Sequence, residues 1–419
     1  MNHATIKEAA IHYNVSESTL YRLARTGDIN AKKIGKQWRF PLGTLETSPS
    51  VRNDLSNLSP DSKTTKKLRF IDLFCGIGGF HQASMQHDME CVFASDIDKF
   101  AQETYRSWYG IQPTGDITKY TDSAANLNKI PEFDVLFAGF PCQPFSYAGR
   151  GEGFEDETRG TLFFHVAKII AHHRPKMFLL ENVKGLKSHQ EGGTLKVIKE
   201  TLKNLGYTIY DEVLNSYDFG VPQYRERWFC VAFRNDLNIN GFEFSKGQDR
   251  GRTIRDILEE NPKTVDVQTI PTAEQTRIEY HFEHMDNFPN NRVEHDNTKY
   301  KPHTKKGKHG VFSFLKKDRT LRFHIGDRAK TQIQEAYYVH ADTFAPAIIA
   351  NRRPKLWDLR RYLTVKECLA LQAFPIDLEF PVSNAQAYKQ LGNSVCVNVI
   401  ASIVSDMTKA LERCEFENL

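Results

Sequence analysis

The strongest constraint on the fold is a series of apolar segments that alternates with helix-like stretches between residues 68 and 235. The apolar segments have the length of buried strands, whereas stretches such as TLFFHVAKIIAHH have the pattern of helices; the strand-like segments read LRFIDLF, CVFAS, FDVLFAG, KMFLLEN and RWFCVAF. This alternation predicts an α/β fold with a doubly wound sheet. Because the carboxyl ends of parallel strands share one edge, the residues that follow these strands are the first candidates for a functional site.

The first of these strands leads into a glycine-containing loop. LRFIDLFCGIGGF places Gly76, Gly78 and Gly79 where glycine lets a ligand approach the main chain next to a helix N-terminus. The spacing differs from the G-x-G-x-x-G pattern of dinucleotide-binding proteins. Asp96 follows the second strand, where an acidic residue binds ribose hydroxyls, and Asp116 in GDIT is predicted to end a further strand. A nucleoside that carries a carboxylate and no pyrophosphate fits this pattern. S-adenosylmethionine is such a ligand, and a simple glycine turn is the alternative.

The stretch FAGFPCQPFSYAG places one cysteine between two prolines at a strand end. Pro141 and Pro144 fix the backbone angle φ and remove two hydrogen-bond donors, so they hold Cys142 in a stiff segment that is neither strand nor helix. Such a segment is suited to presenting a reactive side chain. A small buried hydrophobic residue is the alternative interpretation of the cysteine.

Two later segments supply charged residues at the same predicted edge. Glu181 ends the apolar run in KMFLLEN, so it can meet Cys142, although a glutamate in that position is often a helix cap. DFGVPQYRERWFC places Gln223, Arg225 and Arg227 at alternate positions, which on a strand lie on one face. Two arginines there suit an anionic or nucleobase substrate, and an exposed ion-paired face is the alternative.

The N-terminal segment predicts a separate DNA-binding domain at residues 1–46, followed by a polar linker at residues 47–67. TIKEAAIHYN and VSESTLYRLARTGDI read as two capped helices, and AKKIGKQWRF reads as a two-stranded wing. The pattern resembles the winged helix-turn-helix domains of excisionases and MerR-type regulators. A purely structural helical pair is the alternative. The candidate DNA contacts on the second helix are Ser18, Thr19, Arg22 and Arg25.

Basic charge is concentrated in two parts of the chain, although the whole chain carries a formal net charge of only +4. Residues 1–67 carry a net charge of +5, and residues 291–330 carry 12 Lys and Arg against 4 Asp and Glu. This distribution favours binding to a polyanion, whereas a solvated loop explains either segment alone. Residues 236–345 are polar and weakly periodic, and the helix-like segments in residues 346–419 are predicted to complete the first sheet domain.

Several classes of protein are disfavoured. The seven cysteines are scattered and never spaced C-x-x-C, which disfavours disulfide frameworks and zinc sites, so no metal is expected. No apolar run approaches the roughly 20 residues of a membrane span, and the N-terminus lacks an apolar signal core. We therefore expect a cytoplasmic protein without a membrane partner.

Together the motifs resemble the DNA (cytosine-5) methyltransferases of bacterial restriction–modification systems. The resemblance covers residues 68–235 and 355–412, in the family's order, and is carried by FIDLFCGIGGF, GDIT, GFPCQPFS, ENVKGL, PQYRER and QAYKQLGNSV. It implies a Rossmann-like sheet that binds S-adenosylmethionine, with residues 68–235 as the first part of the catalytic domain. It also implies a smaller target-recognition domain at 236–345, a catalytic return segment at 346–419 and double-stranded DNA as the substrate. A cognate restriction endonuclease would be a functional partner without direct contact.

The resemblance also implies roles for individual residues. Cys142 would be the nucleophile, Glu181 would contact cytosine N3, and Arg227 would orient the base. The cofactor residues implied, with the glycines above, are Phe74, Asp96, Asp116 and Asn393. The substrate-side residues implied are Pro141, Ser146, Arg159, Gln223 and Arg225. The family usually has Glu where Asp96 stands and a larger aromatic residue than Ile97 after it, which bears on cofactor affinity.

The implied chemistry explains the cysteine between two prolines. A thiolate adds to C6 of a flipped-out cytosine, C5 takes up the methyl group, and an acid at N3 absorbs the charge that develops. Two alternatives are a transfer-RNA cytosine-5 methyltransferase and a DNA-binding regulator with an inactive methyltransferase fold. The basic segments favour DNA, and the intact catalytic residues disfavour an inactive fold. The DNA recognition sequence is not readable from residues 236–345.

Overall fold

The computed structural model describes residues 3–4, 6, 9, 24, 31–34, 37–41, 67–141, 162–239, 241–289, 292–295, 310–326, 334–350 and 352–417. The chain forms two compact units. The first consists of Met1–Leu68 and Ser84–Glu90, and the second of Arg69–Ala83 and Cys91–Leu419.

The N-terminal residues include a three-stranded antiparallel sheet. Its strands, in the order β1-β3-β2, are β1 (His3–Ala4), β2 (Lys32–Ile34) and β3 (Gln37–Pro41). β2 and β3 form a hairpin at the position where the sequence predicts the wing. The winged helix-turn-helix assignment stays a prediction, because most of both predicted helices lies outside the described residues. The DNA-contact candidates that lie there are Ser18, Thr19, Arg22 and Arg25.

The main sheet has six strands in the order β5-β4-β6-β7-β10-β8. The strands in this part of the chain are β4 (Arg69–Leu73), β5 (Glu90–Ser95), β6 (Val135–Gly139), β7 (Met177–Val183), β8 (Tyr207–Asn215), the short β9 (Gln223–Tyr224) and β10 (Glu226–Arg234). β4, β6 and β7 are parallel. Because β5 and β6 lie on opposite sides of β4, the chain reverses its winding direction at β4. Ligands of open α/β sheets bind beyond the carboxyl ends of the strands at such a point.

The sheet is mixed, a detail that the predicted doubly wound α/β fold did not specify. β10 runs antiparallel to both of its neighbours, β7 and β8. Only residues 216–225 separate β8 from β10, and this connection is too short for the crossover that parallel neighbours need. β8 was not predicted from the sequence, because its side chains are mostly half-buried and do not form a continuous apolar run.

Helices cover the sheet and build its core. The described helices are α1 (Gly79–Ser84), α2 (Lys99–Tyr109), α3 (Ala124–Leu127), α4 (Leu162–His173), α5 (Gly193–Asn204), α6 (Thr272–His284), α7 (Val365–Leu371), α8 (Asn384–Asn393) and α9 (Val397–Glu417). Ile170 of α4 and Ile198 of α5 belong to the same buried cluster as Leu136 of β6. The next residue of β6, Phe137, packs against Phe80 with ring centroids 5.4 Å apart. Since successive strand residues face opposite sides, β6 is buried on both faces, as its continuous apolar run predicts.

A second sheet lies within residues 236–345, for which no strands were predicted from the sequence. Its antiparallel strands are β11 (Arg292–Glu294), β12 (Gly310–Leu315), β13 (Leu321–Gly326) and β14 (Gln334–Tyr338). Leu321, Phe323 and Tyr338 form a core with Ile278 of α6.

Two buried histidines lie within this region. The side chains of His281 and His295 hydrogen-bond to Ser313 Oγ over 2.8 Å and 2.7 Å. Burial lowers the pKa of each histidine to about 4.

The return segment contains the helices that the sequence predicts. It also adds three short strands, β15 (Ala345–Pro346), β16 (Lys355–Leu356) and β17 (Arg361–Tyr362). β15 pairs with β9, and β16 pairs with β17. The stretch Asn384–Cys414 is long and apolar enough to cross a membrane by length and composition alone, but most of its apolar part is buried inside the protein. It therefore resembles a core helical segment of a globular protein.

Candidate active site

The candidate site lies where β6, β7 and β10 meet. Glu181 of β7 is paired with Gly139 of β6 on one side and with Phe229 of β10 on the other. Arg227 lies two residues before Phe229 and is paired with Val183. Strand pairing alone therefore places the carboxylate beside the guanidinium and beside the strand that leads to Cys142.

Glu181 and Arg227 form a nearly buried ion pair. Arg227 Nε lies 3.2 Å from Glu181 Oε1, and the two side chains are 15% and 11% exposed. Arg227 Nη1 also donates a hydrogen bond to the carbonyl of Glu226 over 2.8 Å, which fixes the guanidinium plane. Burial raises the pKa of Glu181, and the charges of Arg227 and Arg225 oppose part of this rise. The site thus holds a carboxyl group that is easier to protonate than an exposed glutamate.

Asn182 fixes the main chain that leads to the predicted nucleophile. Its Nδ2 donates to the carbonyl of Phe140 over 2.9 Å, and its Oδ1 accepts from the Val183 N–H over 2.8 Å. Pro141 follows as an exposed residue. Asn182 was not among the predicted site residues, although its position directly after Glu181 puts it on the opposite face of the strand. Of the other predicted residues, Cys142, Ser146 and Arg159 lie outside the described residues.

The loop after β4 is held by the carboxylate that follows β5. One oxygen of Asp96 accepts the Gly76 N–H over 2.8 Å, and the other accepts the Asp98 N–H over 2.8 Å. Burial raises the pKa of Asp96, while these two hydrogen bonds lower it in part. Gly76 has φ of +53°, and a Cβ at this position would meet no atom within 4 Å. The loop therefore presents bare main chain to open space beside a fixed carboxylate.

Comparison with known proteins decides the family. A sequence profile of the C-5 cytosine-specific DNA methylases matches residues 68–409. The chain belongs to this family. It is a DNA (cytosine-5-)-methyltransferase of the Type II restriction–modification kind.

Two curated relatives and one solved structure illustrate the similarity. The Type II methyltransferase M.DsaV of Dactylococcopsis salina is 39% identical over 84% of this chain and 88% of its own length. The Type II methyltransferase M1.ScrFI of Lactococcus lactis subsp. cremoris is 34% identical over 97% of this chain and 95% of its own length. The crystal structure of the S. pombe Dnmt2 methyltransferase shares the fold, with a TM-score of 0.55 at 19% identity over 82% of this chain and 99% of that one. A helix-turn-helix profile matches residues 5–47, so this methyltransferase carries an N-terminal helix-turn-helix domain.

Two of the predicted substrate-side residues of the methyltransferase form hydrogen bonds with the protein's own main chain. The Gln223 amide donates to the Leu371 carbonyl over 3.0 Å and accepts from the Ile348 N–H over 2.9 Å. Arg225 donates to the carbonyls of Ile348 and Ser394 over 2.7 Å and 2.6 Å. Both side chains are buried, at 0% and 4% exposure. Their contacts hold the return segment against the strands that carry Arg227.

Two of the three predicted cofactor glycines have a packing explanation. A Cβ on Gly78 would lie 2.3 Å from the ring of Tyr109, and one on Gly79 would lie 2.5 Å from Val395 Cγ2. Neither distance is possible without movement of a neighbour. The expected close approach of a ligand therefore stays a prediction for Gly76, while the other two glycines bring α1 close to α2 and to the start of α9.

The remaining predicted cofactor residues lie in three different loops or helix ends. Phe74 has a positive φ of 54° at the start of the glycine loop. Asp116 accepts the Thr118 N–H over 3.0 Å, and this bond is the main cause of its lowered pKa. It follows an isolated bridge between Thr114 and Ser95, which corrects the expectation of a further strand. Asn393 is exposed at the last position of α8.

A buried polar group behind the glycine loop was also missed in the sequence. Asp72 of β4 is completely buried, and its Oδ1 has no hydrogen-bond partner. Its Oδ2 lies 3.5 Å from the hydroxyl of Tyr105, which in turn hydrogen-bonds to His81 Nδ1 over 2.8 Å. Burial raises the pKa of Asp72 well above its usual range. An acidic residue inside an apolar strand, as in FIDLF, is the signal that could have revealed it.

Metal chemistry has no candidate site in the ranges that the structure describes. No group of three or more His, Cys, Asp or Glu side chains in those ranges is arranged to hold a metal ion.

Proposed function

We propose that the enzyme transfers a methyl group from S-adenosylmethionine to C5 of a flipped-out cytosine in a specific double-stranded DNA sequence, through covalent addition of Cys142 at C6. The buried Glu181–Arg227 pair carries this proposal. It lies beside Gly139, three residues before Cys142, at the edge where open α/β sheets bind ligands.

Two side chains, Cys142 and Glu181, would overcome the low reactivity of the cytosine ring. Cytosine C6 is a weak electrophile, so the thiolate of Cys142 adds there only if charge on the ring is absorbed at N3. Glu181 supplies that group, because its raised pKa favours a carboxyl that donates a hydrogen bond to N3. Arg227 keeps the carboxyl oriented. After C5 has been methylated, the C5 proton passes to solvent and the Cys142 thiolate is eliminated, which restores the C5–C6 double bond, and N3 returns its proton to Glu181.

S-adenosylmethionine supplies the methyl group from its sulfonium centre. The open side of Gly76 and the carboxylate of Asp96 support its binding, since a carboxylate after the second strand is suited to ribose hydroxyls. Phe74, Asp116 and Asn393 would complete this pocket. For Gln223 and Arg225 we propose a positioning role instead of the substrate contact that the family resemblance implies.

A methylation assay with a matched pair of variants tests the proposal. Glu181→Gln is expected to lower the methylation rate by roughly a hundred- to ten-thousand-fold, the usual contribution of a general acid. Glu226→Gln is the control, because Glu226 lies on the same strand as Arg227 but pairs with Lys184 at 2.9 Å near the surface. The control should stay within about threefold of wild type. An equal effect of both variants would remove Glu181 from the reaction.

Bisulfite sequencing of DNA from cells that express the enzyme identifies the site and the methylated cytosine. Purified transfer RNA serves as the competing substrate, and preferential labelling of that RNA would contradict the DNA assignment. We propose that residues 236–345 select the DNA sequence, because they contain the basic stretch 291–330 and their own sheet. A chimera that carries the matching region of a relative should methylate the relative's sites, and unchanged sites would contradict this assignment.

The N-terminal domain is proposed to bind DNA separately, either to regulate a promoter or to tether the enzyme. A fragment of residues 1–60 should bind a discrete upstream site, and binding should weaken in Arg22→Ala and Arg25→Ala. An enzyme that lacks these residues should retain sequence-specific methylation. A folded truncated enzyme without activity would show that the segment belongs to the catalytic structure. We also propose that a cognate restriction endonuclease is a functional partner without direct contact, and that the enzyme is cytoplasmic.

A further inference from the structure

Three tyrosine rings and two cations alternate in a continuous stack that crosses the second unit. Arg353 Cζ lies 4.1 Å from the ring centroid of Tyr388 and 4.3 Å from that of Tyr362. Lys355 Nζ lies 5.3 Å from the centroid of Tyr362 and 5.2 Å from that of Tyr338. We call these five side chains the cation–π ladder. All four contacts lie within the range in which a ring attracts a cation.

One end of the ladder lies in the second sheet, formed by β11–β14. Tyr338 belongs to β14, and its hydroxyl donates to Glu274 of α6 over 2.5 Å. Lys355 Nζ lies 2.6 Å from the same carboxylate oxygen. Burial alone would raise the pKa of Glu274, but the hydrogen bonds from Lys355 and Tyr338 lower it, so the carboxylate is ionised at neutral pH. This end is therefore fixed in the region that we propose reads the DNA sequence.

The other end lies on α8, next to the proposed cofactor site. Tyr388 is followed by Lys389, which pairs with Asp98 at 2.8 Å, and by Gln390, which accepts a hydrogen bond from Thr104 over 2.9 Å. Asp98 itself donates its N–H to the carboxylate of Asp96. α8 is thus connected through one residue to the proposed ribose-binding carboxylate.

The same helix is also fixed from the side of β10. A Cβ on Gly392 would lie 2.2 Å from the main chain of Ile349, so α8 packs directly on the segment that leads to Arg353. Arg225, two residues before Arg227, donates to the Gly392 carbonyl over 3.4 Å. A displacement of α8 would therefore reach both the cofactor side and the base side of the site.

We propose that Arg353 is a positioning residue that aligns the DNA-recognition region with the methyl-transfer site through the cation–π ladder. This inference rests on the proposed function. A planar guanidinium can stack on two rings at once, which a lysine ammonium cannot do as well. Lys355 instead combines its ring contacts with a direct ion pair. Because a misplacement of about 1 Å can cost up to about a hundredfold in rate, the ladder acts on turnover more than on binding.

Steady-state and binding measurements on the full-length enzyme test the inference. Arg353→Ala should lower kcat by about tenfold, while the Kd for DNA and the KM for S-adenosylmethionine stay within about twofold. Its Tm should fall by no more than about 3 °C. Arg360→Ala is the control, because Arg360 forms an exposed ion pair with Glu279 at 3.0 Å and lies outside the ladder. The control should retain wild-type kcat.

Ring substitutions separate stacking from other effects. Tyr388→Phe keeps the ring and should retain kcat within about twofold, whereas Tyr388→Leu should reproduce the loss seen in Arg353→Ala. The Arg353→Ala/Tyr388→Leu double variant should be no slower than Arg353→Ala alone, since Tyr388→Leu removes a contact that Arg353→Ala has already removed. An unchanged kcat in Arg353→Ala would overturn the inference. So would a parallel loss of Tm, DNA affinity and cofactor affinity, which marks ordinary structural support. If the wild-type enzyme fails to methylate cytosine in DNA, the proposed function fails instead.

Discussion

Replacing Arg225 with Met tests whether this arginine holds the protein together or contacts the substrate. Methionine keeps an unbranched apolar stem but removes the guanidinium that donates to the carbonyls of Ile348, Gly392 and Ser394. Two of the three hydrogen bonds are short, at 2.7 Å and 2.6 Å, and the third is long at 3.4 Å. The effect should therefore be dominated by the bonds to Ile348 and Ser394.

The magnitude follows from two opposing effects. A hydrogen bond to a charged group contributes about 1.5–3 kcal/mol, so the two short bonds together contribute about 3–6 kcal/mol. Removing the guanidinium also removes the cost of burying its charge, which is evident because burial lowers the pKa of Arg225 to about 9. We expect a net loss of about 2–4 kcal/mol in the free energy of unfolding.

Urea denaturation monitored by fluorescence, together with DNA-binding titrations, measures both quantities. Arg227→Met is the matched comparison, because it removes the partner of Glu181 and should reduce methylation strongly. Its stability cost should be smaller than that of Arg225→Met, since Glu181 can become protonated. If Arg225→Met loses less than about 1 kcal/mol and instead weakens DNA binding, the positioning role is wrong and the substrate contact is restored.

Three further outcomes are expected. The pKa of His281 and that of His295 are about 4 in the folded protein, against 6.5 ordinarily. The stability that the two neutral histidines contribute is therefore complete above pH 6.5 and is lost as the pH falls toward 4. The difference in Tm between pH 7 and pH 5 should be smaller when both are changed to Asn. Gly76→Ala should raise the KM for S-adenosylmethionine with a stability cost of about 1 kcal/mol, whereas Gly78→Ala should lower Tm severely because of its clash with a tyrosine ring. Cys142→Ser should abolish tritiated methyl incorporation but retain DNA binding, and incorporation near the wild-type level would contradict the nucleophile assignment.

The strand ends of the main sheet were predictable because two physical signals coincide there. β6 and β7 are continuous apolar runs, as strands buried on both faces must be, and the polar residues of β7 come only near its end. The meeting of Glu181 with the end of β6 follows from parallel pairing alone. The family resemblance added the roles of these residues, which no periodicity could supply.

Other features depend on contacts that the sequence does not encode locally. Gln223 and Arg225 alternate with Arg227 along the chain, yet their partners lie more than a hundred residues away in the return segment. The antiparallel course of β10 depends on the length of one connection and not on residue pattern. The second sheet was not predicted because neither β12 nor β13 is a continuous apolar run like the strands of the main sheet. β13 (LRFHIG) does alternate apolar and polar residues, so part of its signal was present in the sequence.

Insertions and deletions are constrained tightly on the N-terminal side of Cys142. Sheet pairing fixes Gly139 opposite Glu181, and Asn182 holds the carbonyl of Phe140. A single inserted residue between Phe140 and Cys142 would displace the thiol by up to about 3.5 Å, several times the tolerance of a catalytic group of about 0.5 Å. The number of residues between the strand and the proposed nucleophile is therefore set by the sheet itself, and the types of the two intervening residues, Phe140 and Pro141, can vary more freely than their number.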